Sequence, residues 1–147
     1  MTTIRRATAD DAPTLRALMR ELAENQGHAA QVAVSVDRLA DLLTRPDVGY
    51  LIAERDGKAI GYVSWLQRVS FWSGQDYLAL DDLYVCSEER GAKVGEHLMR
   101  AISEVARRRV IRWEVAEANV AAQRFYRRIG ATLVSKKICR LVGDTTV

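Results

Sequence analysis

Leu83-Tyr84-Val85-Cys86-Ser87-Glu88-Glu89-Arg90-Gly91-Ala92-Lys93-Val94-Gly95 reads as a β-strand, a short polar turn and the start of a helix. Val94, Leu98, Ala101, Ile102 and Val105 then recur with a 3.6-residue period, the pattern of one apolar helix face. A strand that empties into a glycine-containing helix start presents free backbone N–H groups and the positive end of a helix dipole. That is an anion site, well suited to a pyrophosphate. Gly91 and Gly95 carry no side chain, so a bulky anion can approach the backbone there. An ordinary strand-to-helix turn would show the same features, because short glycine motifs recur by chance.

Outward from this turn the chain reads as alternating elements. Thr3 to Ala7 predicts a first strand. Asp10 and Asp11 can cap a helix with Pro13 in its first turn and Leu15, Leu18, Met19 and Leu22 on one face. Ala23 to Val34 is irregular, and Ser35 can cap a second short helix that stops near Pro46. Tyr50–Glu54 and Ala59–Leu66 flank Asp56-Gly57, a strong hairpin signal. Arg68 to Gln75 reads as a loop and Tyr77 to Val85 as a strand. The glycine helix runs from about Ala92 to Arg108. A strand follows from Ile111 to Ala116, then a helix capped by Asn119 and ended by Gly130. One or two closing strands are expected between Thr132 and Leu141. The order β-α-α-β-β-β-α-β-α-β defines a mixed α+β layer fold.

The strand before the turn carries a phase slip. Leu78 and Leu80 share one phase of the two-residue period, and Leu83 and Val85 share the other. One extra residue at Asp81-Asp82, a β-bulge, would produce this. A strand buried on both faces would also blur the phase.

Bulk properties narrow the class. The 147 residues suit one domain, 1–147, with a core that needs no metal or disulfide. A composition 48% hydrophobic and 28% charged is that of a soluble globular protein. Met1 to Arg6 does not read as a signal peptide, and no stretch approaches the length of a membrane span. Cys86 and Cys139 are isolated, so reduced thiols in the cytoplasm are expected, with no metal site. The net charge of +3 is too modest to argue for nucleic acid, and the arginines are not interleaved with stacking aromatics. Neither a nucleic-acid nor a membrane partner is expected.

A second block, Asn119 to Ala131, places Ala122, Phe125 and Ile129 on a core stripe. Asn119 and Tyr126 fall along another side of the same helix. These residues resemble the GNAT superfamily of N-acetyltransferases, whose pattern here is Asn-x-x-Ala-x-x-Phe-Tyr-x-x-x-Gly-Ala. Asn119 through Ala131 match it throughout. The turn resembles the superfamily's acyl-CoA signature, Gln/Arg-x-x-Gly-x-Gly/Ala, at Arg90 and Gly95, with Lys93 where the middle glycine is usual. Leu80 to Val85, Ala116 to Asn119 and Ile4 to Asp11 are similar to the diamine (spermidine/spermine) and thialysine acetyltransferase branch.

The resemblance implies a mostly antiparallel sheet splayed between its fourth and fifth strands, with helices on both faces. It implies acetyl-CoA as donor, direct transfer to a primary amine, and a homodimer in which Val134 to Leu141 serves as an exchanging or interface strand. By resemblance the cofactor meets Leu83, Tyr84 and Val85 through their backbone, then Arg90, Gly91, Ala92, Lys93, Val94, Gly95 and Glu96 around the pyrophosphate. Asn119, Ala122 and Tyr126 meet it from the other strand, with Tyr126 beside the thioester sulfur as general acid. A phenol of pKa about 10 holds the needed proton at neutral pH.

An alkyl ammonium of pKa about 10.4 costs on the order of 4–5 kcal/mol to deprotonate at pH 7. A nearby carboxylate can take that proton, directly or through water. Asp81 and Asp82 are the candidates, with Glu117 at the end of the next strand; these acids also attract a cationic acceptor, and Trp72 in the Arg68–Gln75 loop can face it. By resemblance Asp81 occupies the acidic position of the diamine branch, one methylene shorter than the usual glutamate. His28, Phe71 and Gln75 are loop residues that can face the acceptor. A small polyamine-like or amino-acid-like amine is the expected acceptor. A peptide amine, or acyl-CoA binding without transfer as a sensor, are the alternatives.

Overall fold

A computed structural model describes residues 1–27 and 31–144 of the chain. They form two compact units, Met1–Glu114 and the segment from Val115 onward. His28 lies outside the described residues.

The first unit is built on a five-stranded sheet in the order β1-β2-β3-β4-β5. Its strands are β1 (Thr2–Arg6), β2 (Val48–Arg55), β3 (Lys58–Val69), β4 (Asp76–Val85) and β5 (Ile111–Arg112). The first four pair antiparallel and β5 joins β4 in parallel. β2 and β3 turn at Asp56-Gly57, where both residues take positive φ (52° and 75°), the geometry a tight two-residue hairpin requires.

Helices cover both faces. α1 (Ala12–Asn25) and α2 (Val36–Leu43) bury Leu15, Leu18 and Leu39 against Tyr50, Ile52, Tyr62 and Tyr84. α3 (Val94–Ala106) buries Val94, Leu98 and Ile102 on the other face. Ser35 caps α2 as expected, its Oγ accepting from Arg38 N at 3.0 Å. The cap expected from Asp10 and Asp11 differs. Thr8 and Asp11 form a capping box around a short 3-10 turn, Ala9–Asp11, and α1 follows without a side-chain cap. The Asp11 carboxylate is taken instead by Thr8 N–H and by two Arg5 nitrogens at 2.9 and 2.7 Å.

The expected phase slip is a bulge. Val63 pairs with Leu83 and Trp65 with Leu80, so Ser64 alone faces Asp81 and Asp82. The extra residue leaves the Asp82 N–H without a ladder carbonyl, and Ser64 Oγ accepts it at 3.1 Å. Ser64, only 3% exposed, thereby satisfies a buried donor. Beyond the bulge β3 and β4 come very close. A Cβ on Gly61 would stand 2.6 Å from Tyr84 O, so only glycine fits.

The β4–β5 pairing ends early, at Ala79 and Arg112, and β4 continues to Val85. This is the splay that the fold requires. The strand expected over Ile111 to Ala116 is therefore confined to Ile111–Arg112. In the second unit the Ala116 carbonyl is taken by Asn119 N–H and by Gln123 Nε2, so the residue serves the helix entry and not a ladder.

That helix, α4 (Val120–Arg128), is capped by Asn119 Oδ1 accepting from Ala122 N at 3.1 Å. It ends in a Schellman motif: Gly130 N–H reaches Arg127 O and Ala131 N–H reaches Tyr126 O. The closing strands expected between Thr132 and Leu141 do not form, and among the described residues no strand follows β5. Val134, Ile138 and Leu141 are exposed. β-Branched residues favour a pleated surface only where a neighbouring strand supplies the other half of the ladder, and none does so here.

Candidate acetyl-transfer site

The turn after β4 has the shape its glycines imply. Ser87–Glu89 form one 3-10 turn, tied to the sheet by an Arg55–Glu89 ion pair. Arg90 is exposed and its Nε donates to Val85 O at 3.3 Å, fixing the exit of β4. Gly91 takes φ +90°, and open space lies where a side chain would stand. Lys93 then takes φ 62° as the N-cap of α3, without a side-chain cap bond. A left-handed lysine costs roughly 1–2 kcal/mol. Lysine lacks glycine's freedom at positive φ, so the backbone here is strained. The first-turn N–H groups of α3 at Val94, Gly95 and Glu96 follow directly, with Glu96 paired to Arg100 at 3.7 Å.

The Leu80–Val85 edge that β5 leaves, the open backbone at Gly91 and the uncapped start of α3 fit an extended ligand that ends in a pyrophosphate. The residues present thus suit acyl-CoA. Among the described residues no group of three or more His, Cys, Asp or Glu could hold a metal ion.

The acids differ sharply. Asp81 is exposed, whereas Asp82 is half-buried. Tyr62, fully buried, donates its phenol to Asp82 Oδ2 at 2.9 Å. Burial, then the neighbouring Asp81 charge, hold the Asp82 carboxyl above its ordinary range, and the Tyr62 bond pulls the other way. Tyr62 itself is raised by burial and the Asp82 charge, so its phenol stays protonated and always donates. Tyr50 stacks on Tyr62 at 5.7 Å between centroids. Its hydroxyl meets Met19 Sδ and interacts with Ser64. Burial first, then Asp82 and Asp81, push the Tyr50 phenol up to about 12.

The structure brings Asp81, Asp82, Leu83, Tyr84 and Val85 together on one strand that feeds the Arg90–Glu96 turn. It does not bring Trp72 to the acids. Phe71 and Trp72 are exposed at the loop between β3 and β4, and Asp82 stands roughly 20 Å further along β4 at about 3.3 Å per residue. Glu117 lies in the second unit, its carbonyl accepting from Gln123 Nε2 at 2.9 Å. Asn119, Ala122 and Tyr126 lie on or at the cap of α4, where Tyr126 packs on Phe125 with centroids 5.4 Å apart.

Sequence reasoning missed Tyr62 and Ser64. A tyrosine and a serine inside an apolar strand read as packing, and only the register opposite Asp81-Asp82 reveals their partners. Cys86 is buried, and its Sγ donates to Glu21 Oε2 at 3.7 Å. Burial and Glu21 push the thiol up to about 11, which makes it a packing group and not a nucleophile.

A family model described as the acetyltransferase (GNAT) family matches residues 14–131. The chain belongs to that family and is an N-acetyltransferase; acetyl-CoA is the family's donor. It is 29% identical to the thialysine N-epsilon-acetyltransferase of Bos taurus, over 87% of this chain and 82% of the relative. It is also 29% identical to the aminoalkylphosphonate N-acetyltransferase of Salmonella typhimurium, over 86% of this chain and 82% of the relative. An aminoglycoside acetyltransferase from an uncultured soil metagenomic sample superposes with a TM-score of 0.85 at 16% identity, over 97% of this chain and 99% of the other. That likeness speaks for the fold alone.

Proposed function

We infer that this chain transfers the acetyl group of acetyl-CoA directly to the nitrogen of a small cationic primary amine, polyamine-like or amino-acid-like. The observation that carries the acceptor class is Asp82: a half-buried carboxylate beside a second acid, on the strand that leads into the anion-binding turn. Two acids attract an ammonium, and the buried one is shielded from solvent and therefore acts on it more strongly. Relatives named for thialysine and aminoalkylphosphonate acetylation support a small amine.

When bound, acetyl-CoA supplies an activated thioester. The backbone of Leu83 to Val85 lies along its pantetheine arm, and Arg90 to Glu96 hold its pyrophosphate. Lys93 adds a cation there in place of the family's glycine. Asp82 takes the ammonium proton, and Asp81 and Glu117 contribute to holding the acceptor. Asn119 and Ala122 meet the cofactor from α4, and Tyr126 holds the proton that the departing thiolate takes up. Both units then serve one acetyltransferase domain, in keeping with a family match that spans them. Among the described residues no helix is long and apolar enough to cross a membrane, and the cytoplasm is the compartment this reading favours. A homodimer through the Val134–Leu141 segment belongs to the same reading.

The test is thiol release from acetyl-CoA against polyamines, thialysine, amino acids, aminoalkylphosphonates, aminoglycosides and peptides. Turnover is expected with at least one small cationic amine. Tyr126→Phe should lower kcat by about 10²-fold or more while acetyl-CoA binding is kept. Tight acyl-CoA binding without turnover on any amine would favour a sensor, and a preference for peptides would move the acceptor class.

A further inference from the structure

We propose that Asp82, and not Asp81, is the catalytic carboxylate, and that Tyr62 is the positioning residue that holds it. This rests on the acetyl-transfer reading above. The bulge rotates Asp82 toward the Tyr62 face of the sheet and leaves Asp81 exposed. Asp82 is then fixed at both ends. Its N–H is bound by Ser64 Oγ at 3.1 Å, and its Oδ2 by the Tyr62 phenol at 2.9 Å.

The Tyr62 ring cannot turn away. It is fully buried, stacked on Tyr50 at 5.7 Å and flanked by Tyr84 at 6.2 Å. Because the phenol occupies Oδ2, the incoming proton goes to Oδ1. The ammonium N–H bond breaks, its electron pair stays on nitrogen, and a neutral amine and a neutral Asp82 carboxylic acid result. A held carboxylate presents one oxygen at one place, and such preorganisation is what makes a general base efficient. Asp81, by contrast, is exposed to solvent.

The groups that act on Asp82 are few. Asp81 acts from its own strand and Tyr62 from β3, and Tyr50 on β2 couples to both. α1 contributes Met19 against the Tyr50 hydroxyl and Glu21, whose charge acts on Tyr84 and Cys86. Losing the Tyr62 donor removes a bond to the charged form, so the Asp82 carboxyl should rise.

The experiment has two readouts on Tyr62→Phe, with Ser64→Ala as a second variant that leaves the ring stack intact. Carbon-13 titration of the Asp82 carboxyl in the free protein should show its midpoint raised by about half to one pH unit in Tyr62→Phe. The acid limb of kcat/KM for the amine should move up with it. The plateau should fall about tenfold, and the acetyl-CoA KM should stay within twofold. Ser64→Ala should lower the plateau without moving the Asp82 midpoint by as much. An unmoved Asp82 midpoint and acid limb in Tyr62→Phe would overturn the proposal, even with a lower Tm, because a packing role alone predicts that pattern. Loss of the limb in Asp81→Asn but not in Asp82→Asn would overturn it too. Absence of turnover on every amine would defeat the acetyl-transfer reading instead, and the free-protein titration would still decide whether Tyr62 holds Asp82.

Discussion

The first half of β4, Asp76 to Leu80, and its second half, Asp81 to Val85, belong to one strand but are held differently. The first half lies between β3 and β5, in an unbroken antiparallel register on one side and a parallel pair on the other. The second half begins with a bulge and, among the described residues, pairs with β3 alone. The Asp81-Asp82 pair and the exit toward the Arg90–Glu96 turn lie in the second half. A central strand segment spends its backbone groups on ladders, whereas a bulged segment with one open edge leaves N–H and C=O groups for a ligand and turns a carboxylate out of register. The proposed site thus coincides with the place where pairing stops.

The largest effect of perturbing this comparison is expected at Gly61, which pairs with Val85 and has the Tyr84 carbonyl where a Cβ would stand. Gly61→Ala forces a methyl onto the Tyr84 carbonyl and should cost about 1–3 kcal/mol. Amide exchange would accelerate at Leu83 to Val85 while Leu78 to Leu80 stay protected. Equal acceleration in both halves would mean that β4 opens as one unit. A smaller effect is expected at the exit of the second half. Lys93→Gly removes left-handed strain and should stabilise the protein by up to about 1 kcal/mol, a Tm increase of a few degrees. A fall in Tm would show that the lysine side chain makes good the strain.

Much of this contrast was legible in the sequence. The Leu78–Leu80 and Leu83–Val85 phases disclosed the bulge because a one-residue slip reverses every side chain after it. Asp56-Gly57, Ser35, Asn119 and Gly130 announced a hairpin, two caps and a helix end through local chemistry that needs no distant partner. What stayed hidden depends on partners far along the chain. Tyr62 and Ser64 gain their roles from residues about 20 positions away. The true length of β5 depends on where β4 offers a ladder, and Thr132 to Leu141 has strand-forming residues but no strand beside it. The left-handed turn at Lys93 was hidden for a different reason, since lysine carries no signal for positive φ.

The most direct test of the central claim compares Asp82→Asn with Asp81→Asn in the pH dependence of kcat/KM for the accepted amine, at saturating acetyl-CoA. Asp82→Asn should lower kcat/KM by about 10²–10³-fold and abolish the acid limb. Asp81→Asn should cost less than about tenfold, chiefly through weaker attraction of the cation, and keep the limb. Retention of rate and limb in Asp82→Asn, with their loss in Asp81→Asn, would contradict the account.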